Sequence, residues 1–267
     1  MADQRAASWD EAADTYGADL PLFADLAARL VAEAAIRPGE RVLDIGTGNG
    51  LALLPAARAA SPAATTGIDF SAAMLRAARA RTRDADVGVA LAQMDAGHLA
   101  IRDESFDLAT AASVFQFLRY SVDALREWRR VLRPNGRLAF SLPRPDDGSA
   151  AFFQLMMRYL PRLPSERQEW FAAEGSQPEV PDLVGACRDA GFADARTHDV
   201  HWPAVVESRD EWWRLQWTHG TRILLRELPR AAIEELRRDT MAMLEPSCDS
   251  DGAVHGTIVQ AICIADC

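Results

Sequence analysis

The sequence predicts an α/β protein built on a doubly wound, mostly parallel sheet, and three observations predict it. An apolar run enters a glycine turn at Val42-Leu43-Asp44-Ile45-Gly46-Thr47-Gly48-Asn49-Gly50. Short apolar runs near 41–45, 65–69, 87–92, 107–113 and 136–142 alternate with helical patterns near 51–60, 71–83 and 121–132; strands spaced by helices pair in parallel with both faces covered. At 267 residues and 49% hydrophobic content, the chain can bury one substantial core and still carry a helical elaboration.

The elements follow in order. Asp19 to Ile36 places Leu22, Phe23, Leu26, Leu30 and Val31 at helical spacing, and Arg37-Pro38-Gly39 ends it. The first strand, glycine turn and helix come next, then Thr65-Thr66-Gly67-Ile68-Asp69, a second strand that ends in an acid. After Leu142, Pro143-Arg144-Pro145-Asp146-Asp147-Gly148 is a turn-rich break, and Ala151 to Leu160 reads as a short amphipathic helix. Pro181 to Ala190 is a helix closed by Gly191, and Ala195 to His201 is a sixth strand. Ser208 caps an acidic first turn, Asp210-Glu211, of a helix holding Trp212, Trp213, Leu215 and Trp217. A helix from Pro229 to Leu244 and a last strand from Gly256 to Ile264 complete the chain.

The glycine turn points to a nucleotide or nucleoside ligand. Three glycines let the backbone turn tightly and approach a ligand, and the following helix offers free N–H groups and its positive end. A dinucleotide fingerprint needs a third glycine where Leu51 stands. Asp44, just ahead of the turn, would repel a pyrophosphate and suits a cationic ligand. A Walker phosphate cradle is also excluded, because no Gly-Lys-Ser/Thr follows and the chain has no lysine.

Composition narrows the field further. The net charge of −10 argues against a nucleic-acid partner, since that affinity rests on clustered cations. All 29 basic residues are arginine, which rules out lysine Schiff-base or lysine-base chemistry. Cys187, Cys248, Cys263 and Cys267 show no Cys-x-x-Cys pair and no zinc spacing, so they read as reduced thiols, and no acidic cluster suggests a metal. The N-terminus lacks the apolar core of a signal peptide, and no run approaches the roughly 18 apolar residues of a membrane span. A soluble, cytoplasmic protein is expected, with no membrane or nucleic-acid partner.

The glycine block resembles that of the class I S-adenosylmethionine-dependent methyltransferases, in their small-molecule and quinone branch. Three further blocks continue the resemblance in the same order: Thr65 to Phe70; Asp95-Ala96 through Asp107 and the fourth strand to Val114; and Arg130-Val131-Leu132-Arg133-Pro134-Asn135-Gly136-Arg137-Leu138. Together they cover residues 40–142. The resemblance implies a Rossmann-like, seven-stranded, mostly parallel sheet with an antiparallel last strand and helical lid insertions. Residues 1–37 would form an N-terminal helical lid that includes Trp9 to Tyr16. Residues 38–267 would form the S-adenosylmethionine-binding domain, with substrate-lid insertions near 149–175 and 203–250. It also implies that Gly46, Gly48 and Gly50 line the cofactor, Asp44 helps hold its amino group, and Asp69 takes the ribose hydroxyls. Phe70 and Met94 would flank the adenine, Asp95 would face its amine, and Ala96 and Ser113 would complete the cofactor set.

Acceptor identity is less marked. The loop after the fourth strand reads Ala112-Ser113-Val114-Phe115-Gln116-Phe117, without the Asn-Pro-Pro-Tyr of many amino methyltransferases and without the His-His of many quinone relatives. Gln116 is the residue there that can orient an acceptor or cap a turn. Among five histidines, His219 is the first choice for a general base, because it follows Trp213 and Trp217 on a helix expected to roof the pocket; Tyr16 is the other base or orienting candidate. The aromatic helix suits an apolar or aromatic acceptor, or else simply packs a core. The expected function is methyl transfer to oxygen or carbon of a small apolar or aromatic molecule, in secondary or quinone metabolism. Its rivals are a cofactor-binding cyclase or other non-methylating enzyme, and a cofactor-binding regulator. The expected partner is a small-molecule acceptor, with a homodimer as the one protein assembly considered.

Overall fold

The computed structural model describes residues 9, 10, 13, 16, 21–61, 63–144, 147–168, 180–218 and 221–267. Helix α1 (Pro21–Glu33) leads into β1 (Val42–Ile45), α2 (Leu53–Ala60), β2 (Thr65–Asp69), α3 (Ala72–Asp84) and β3 (Val89–Gln93). Next come β4 (Phe106–Ala112), α4 (Val122–Arg130), β5 (Leu132–Arg144), α5 (Asp147–Met157) and α6 (Leu183–Asp189). The chain ends with β6 (Asp194–Val206), α7 (Arg209–Leu215), α8 (Arg222–Glu227), α9 (Arg230–Leu244) and β7 (Val254–Asp266).

The strands form one seven-stranded sheet in the order β3-β2-β1-β4-β5-β7-β6. β1 pairs in parallel with β2 and with β4, β2 with β3, and β4 with β5. Strand order therefore reverses between β1 and β4, where open α/β sheets leave a crevice at the strands' carboxyl ends. Ala193 N donates to Asp266 O and Thr197 Oγ1 to Ile262 O, so the pairing advances along β6 while it recedes along β7. Those two strands are antiparallel. β6 is an edge strand, which is why it tolerates Pro203, a residue with no N–H to give a neighbour.

Sequence chemistry sets the helix ends. Ser71, Ser121, Asp182 and Ser208 each accept a hydrogen bond from a backbone N–H of the first turn, from Met74, Ala124, Val184 and Glu211 respectively. Helix α2 buries Leu53, Ala56, Ala57 and Ala60, a single stripe at helical spacing.

The chain divides into two compact units, residues 1–142, 178–199 and 261–267, and residues 143–177 and 200–260. In the first, Phe115, Trp128 and Phe140 meet with ring centroids 5.4 to 6.3 Å apart, among Leu43, Ile68 and Leu138. Trp128 Nε1 donates to Ala96 O at 2.8 Å, so the indole is both packed and satisfied. The second unit packs Phe152, Leu155, Trp213, Leu225 and Leu236, and Tyr159 Oη donates to Asp239 Oδ2 at 2.8 Å.

Several boundaries differ from the sequence reading. The fourth helix stops at Arg130, not 132, and β5 starts at Leu132: Phe106 pairs with Leu132 and Leu108 with Arg137, so a register shift absorbs the extra residues around Asn135, whose φ is 66°. Helix α5 begins at Asp147, inside the expected break. The six-residue α8 was not anticipated; no side chain caps it. β6 and β7 run 13 residues each, longer than the alternation suggested.

Trp128→Phe should destabilise the protein by about 2 kcal/mol or more, since it leaves the Ala96 carbonyl unpaired and opens a void. Urea denaturation checks this, and a loss under ~0.5 kcal/mol would remove the indole bond from its assigned weight.

Candidate cofactor and active site

The site begins with a buried charge. Register places Asp44 between Gly67 of β2 and Thr110 of β4. Its Oδ1 accepts from Thr110 Oγ1 at 2.7 Å and its Oδ2 from Thr47 Oγ1 at 2.6 Å, and the residue is 1% exposed. Burial pushes its pKa up to about 6, against the pull of the two hydroxyls, and the charge of Asp69 adds to the rise. Both oxygens are thus engaged by the protein itself. Through these bonds Asp44 braces the turn from below.

Two glycines define the turn. At Gly46, with φ 63°, a Cβ would stand 2.5 Å from Val114 Cγ2, so the close approach of the β4 loop requires glycine. At Gly48, with φ 52°, a Cβ would meet nothing within 4 Å: the backbone is strained for any other residue, yet the space beside it is open. Thr47 N donates to Ile68 O at 2.8 Å, and a Cβ on Gly67 would come within 2.9 Å of Thr47 Oγ1, so the turn lies directly on β2.

Asp69 ends β2 beside that space. Its Oδ2 accepts from Gly48 N and its Oδ1 from Ser71 N, both at 2.8 Å. Burial raises its pKa, the N–H bonds oppose the rise, and the charge of Asp10 adds to it. Phe70 follows, half-buried, its carbonyl accepting from Gln93 Nε2 at 2.9 Å. Met94 N donates to Asp69 O at 2.9 Å. Asp95 closes a turn, its Oδ1 accepting from Gly97 N at 2.7 Å while the side chain stays 64% exposed, and Ala96 is held by Trp128.

At the end of β4, Ser113 adopts φ 54°, and its N–H donates to Ser141 O at 3.0 Å. Gln116 Nε2 donates to Ser113 O at 2.9 Å, which fixes the amide; its Oε1 is buried with no hydrogen-bond partner among the described residues. The N-terminal residues reach the same region. Asn49 Nδ2 donates to Tyr16 O at 2.6 Å, and the Trp9 ring lies edge-on to Tyr16 and to Phe117, each at 5.5 Å. Burial, then the charge of Asp69, pushes the Tyr16 pKa up to about 12.

The structure thus brings Asp44, Gly46, Gly48, Gly50, Asp69, Met94, Ser113 and Gln116 to the carboxyl ends of β1, β2, β3 and β4, with Tyr16 tied to the turn. Trp213 and Trp217 belong to the second unit, where Trp213 is 8% exposed in its core and the two rings stand 6.5 Å apart. His219 lies outside the described residues. Of the other histidines, His98 is exposed, 3.9 Å from Asp95, and His255 bonds Asp249 at 2.7 Å on the surface. Sequence reasoning missed Thr47, Thr110 and Gly67. Thr47 was legible, three residues past Asp44 in the motif; Thr110 is 66 residues away and carried no local signal.

The open flank of Gly48, a carboxylate at the end of β2 and a buried acid beneath fit a nucleoside carrying a cation better than a polyphosphate. A family model described as a methyltransferase domain matches residues 43–140. Aklanonic acid methyltransferase DauC of Streptomyces sp. (strain C5) is 32% identical over 204 residues, 71% of this chain and 91% of the relative. The chain belongs to the class I S-adenosylmethionine-dependent methyltransferases. S-Adenosylmethionine is the cofactor of this methyltransferase. Nocamycin O-methyltransferase of Saccharothrix syringae is 28% identical over 88% of this chain and 90% of its own length. The ubiquinone/menaquinone biosynthesis C-methyltransferase UbiE of Ralstonia pickettii (strain 12J) is 38% identical over 109 residues, 40% of this chain; the methyltransferase spans only 45% of that relative's length. Among the described residues no helix is long and apolar enough to cross a membrane.

Asp69→Ala is expected to weaken S-adenosylmethionine binding ten- to hundred-fold, about 1.5–3 kcal/mol for a charge-assisted bond, by calorimetry on the folded variant. Gly48→Val should be worse, since it strains the backbone and fills the open flank. For Asp44, the folded pKa lies above the ordinary 3.8, so its contribution to stability is fully present below about pH 4 and lost as pH rises through about 6. The stability gap between wild type and Asp44→Asn should therefore move in favour of the variant across that window. Urea midpoints of both proteins at a series of pH values measure it, and a pH-independent gap would contradict a buried carboxylate.

Proposed function

We propose that this chain transfers a methyl group from S-adenosylmethionine to an oxygen or carbon of a small apolar or aromatic acceptor, in secondary or quinone metabolism. The observation that carries this reading is the open left-handed turn at Gly48, whose N–H is held by the Asp69 carboxylate across the carboxyl ends of β1 and β2. The names of the relatives, an O-methyltransferase and a C-methyltransferase among them, support transfer to oxygen or carbon.

When bound, the cofactor supplies a sulfonium methyl group that needs no protein nucleophile. The chain's own residues bind, orient and exclude water. Gly46, Gly48 and Gly50 let the backbone approach the cofactor, with Asp44 supporting them through Thr47. Asp69 accepts hydrogen bonds from the ribose hydroxyls; Phe70 and Met94 flank the base, and Asp95, Ala96 and Ser113 complete its surroundings. Gln116 meets the acceptor through Oε1, the amide being held the right way round by Ser113 O; a buried acceptor atom is costly unless something donates to it. At a pKa of about 12 Tyr16 keeps its proton at neutral pH, so it serves as an orienting donor and not as a base. In this reading His219 is the base, and Trp213 and Trp217 are substrate residues.

Incubation with S-adenosylmethionine and candidate aromatic acceptors should give a product heavier by one methyl group with release of S-adenosylhomocysteine. A product of unchanged mass would instead favour a non-methylating enzyme. With an acceptor in hand, His219→Ala should lower kcat by roughly 10²–10⁴ and leave cofactor affinity nearly intact. A kcat within a few-fold of wild type withdraws the histidine and leaves proximity and desolvation as the mechanism.

A further inference from the structure

Among the described residues, hydrogen bonds tie the N-terminal residues to the rest of the first unit at Tyr16 and at Asp10, and both lie beside residues of the proposed cofactor site. One is the bond from Asn49 Nδ2, inside the glycine turn, to Tyr16 O. The other is Asp10, whose Oδ1 accepts from Ser71 Oγ at 2.5 Å and from Ala73 N at 3.1 Å. Ser71 is two residues beyond Asp69, and its hydroxyl works twice: it donates to Asp10 and accepts from Met74 N at 3.0 Å. The carboxylate of Asp10 thus meets the first turn of the 13-residue α3, where free N–H groups and the positive helix end favour an anion. Between the two attachments, Trp9 and Tyr16 pack edge-on, and together with Ala13 they lie against Met74 and Ala73. This arrangement sets a second carboxylate near Asp69, an unfavourable placement for two acids that a purely apolar contact would avoid.

We propose that Asp10 is a positioning residue for cofactor binding: its carboxylate latches the N-terminal segment onto the first turn of α3, beside Asp69, and so governs how firmly that segment holds bound S-adenosylmethionine. The proposal rests on the reading of this segment as a lid. The latch acts through Trp9 and Tyr16; Asp10 itself touches no reacting atom. Because it bonds to Ser71 and Ala73, which adjoin the acid that takes the ribose, loss of the latch loosens Trp9 and Tyr16 beside the proposed cofactor site.

The test uses the full chain and S-adenosylhomocysteine as the probe, with calorimetry for affinity and stopped-flow displacement for dissociation. Asp10→Ala should weaken binding about tenfold, through faster dissociation. Asp10→Asn should return affinity to within about threefold of wild type, since its amide oxygen can accept both bonds. Asp10 is exposed, so both variants are expected to fold. A cap that only stabilises α3 would lower the melting temperature and leave the affinity of the folded protein untouched. That result, or an Asp10→Asn variant as weak as Asp10→Ala, overturns the proposal. Trp9→Ala separates the two levels of the argument. If it loses affinity while Asp10→Ala does not, the latch falls and the lid stands; if neither variant loses affinity, both fall.

Discussion

The carboxylate of Asp44 sits beneath the glycine turn, shut off from water, and the geometry of the sheet's working end follows from how it is satisfied. Its two hydrogen-bond donors come from different directions, Thr47 from the turn and Thr110 from β4. Each bond therefore ties an element to β1: one draws the turn back over the strand, the other fixes the register of β4 against it. An ionised acid in a low-dielectric site is tolerated only when its oxygens are occupied, so the turn and β4 are held in place by the same requirement. Once Thr47 is drawn back, Gly67 must lack a side chain and Gly46 must lack one beside Val114.

The consequence for chemistry is a division of labour between two acids. Asp44 accepts from two side-chain hydroxyls at a site closed to water, whereas Asp69 accepts from the backbone N–H groups of Ser71 and of Gly48 in the turn. A carboxylate accepts more bonds than those two, so Asp69 can hold the turn and still take hydroxyls from a ligand. The charge of Asp69 raises the proton affinity of Asp44, and that of Asp10 raises the proton affinity of Asp69, so a cation bound nearby would relieve both. In the proposed site the sulfonium of the cofactor would be such a cation.

What was legible in the sequence was what local patterns encode. The strand–turn–helix at 42–60, the acid ending β2 and the Ser208 cap all lie within a few residues of the features that identify them. What was not legible depends on register or on tertiary choice. The partnership of Asp44 with Thr110 exists only because β1 and β4 pair as they do. The start of β5 at Leu132 needed a register shift, and Pro134-Asn135-Gly136 reads locally as a turn. Helix α8 is six residues long, too short for periodicity to mark. The aromatic residues of α7 could be read as pocket or as core from their spacing alone, and Trp213 packs in a core.

The proline in β6 bears on assembly. An open sheet ends in rows of unpaired backbone groups that invite another chain to add itself as an extra strand. Pro203, in the carboxyl-terminal half of a 13-residue edge strand long enough to recruit a neighbour, supplies no N–H for such pairing. Two copies of this chain are thereby discouraged from fusing their sheets along that border.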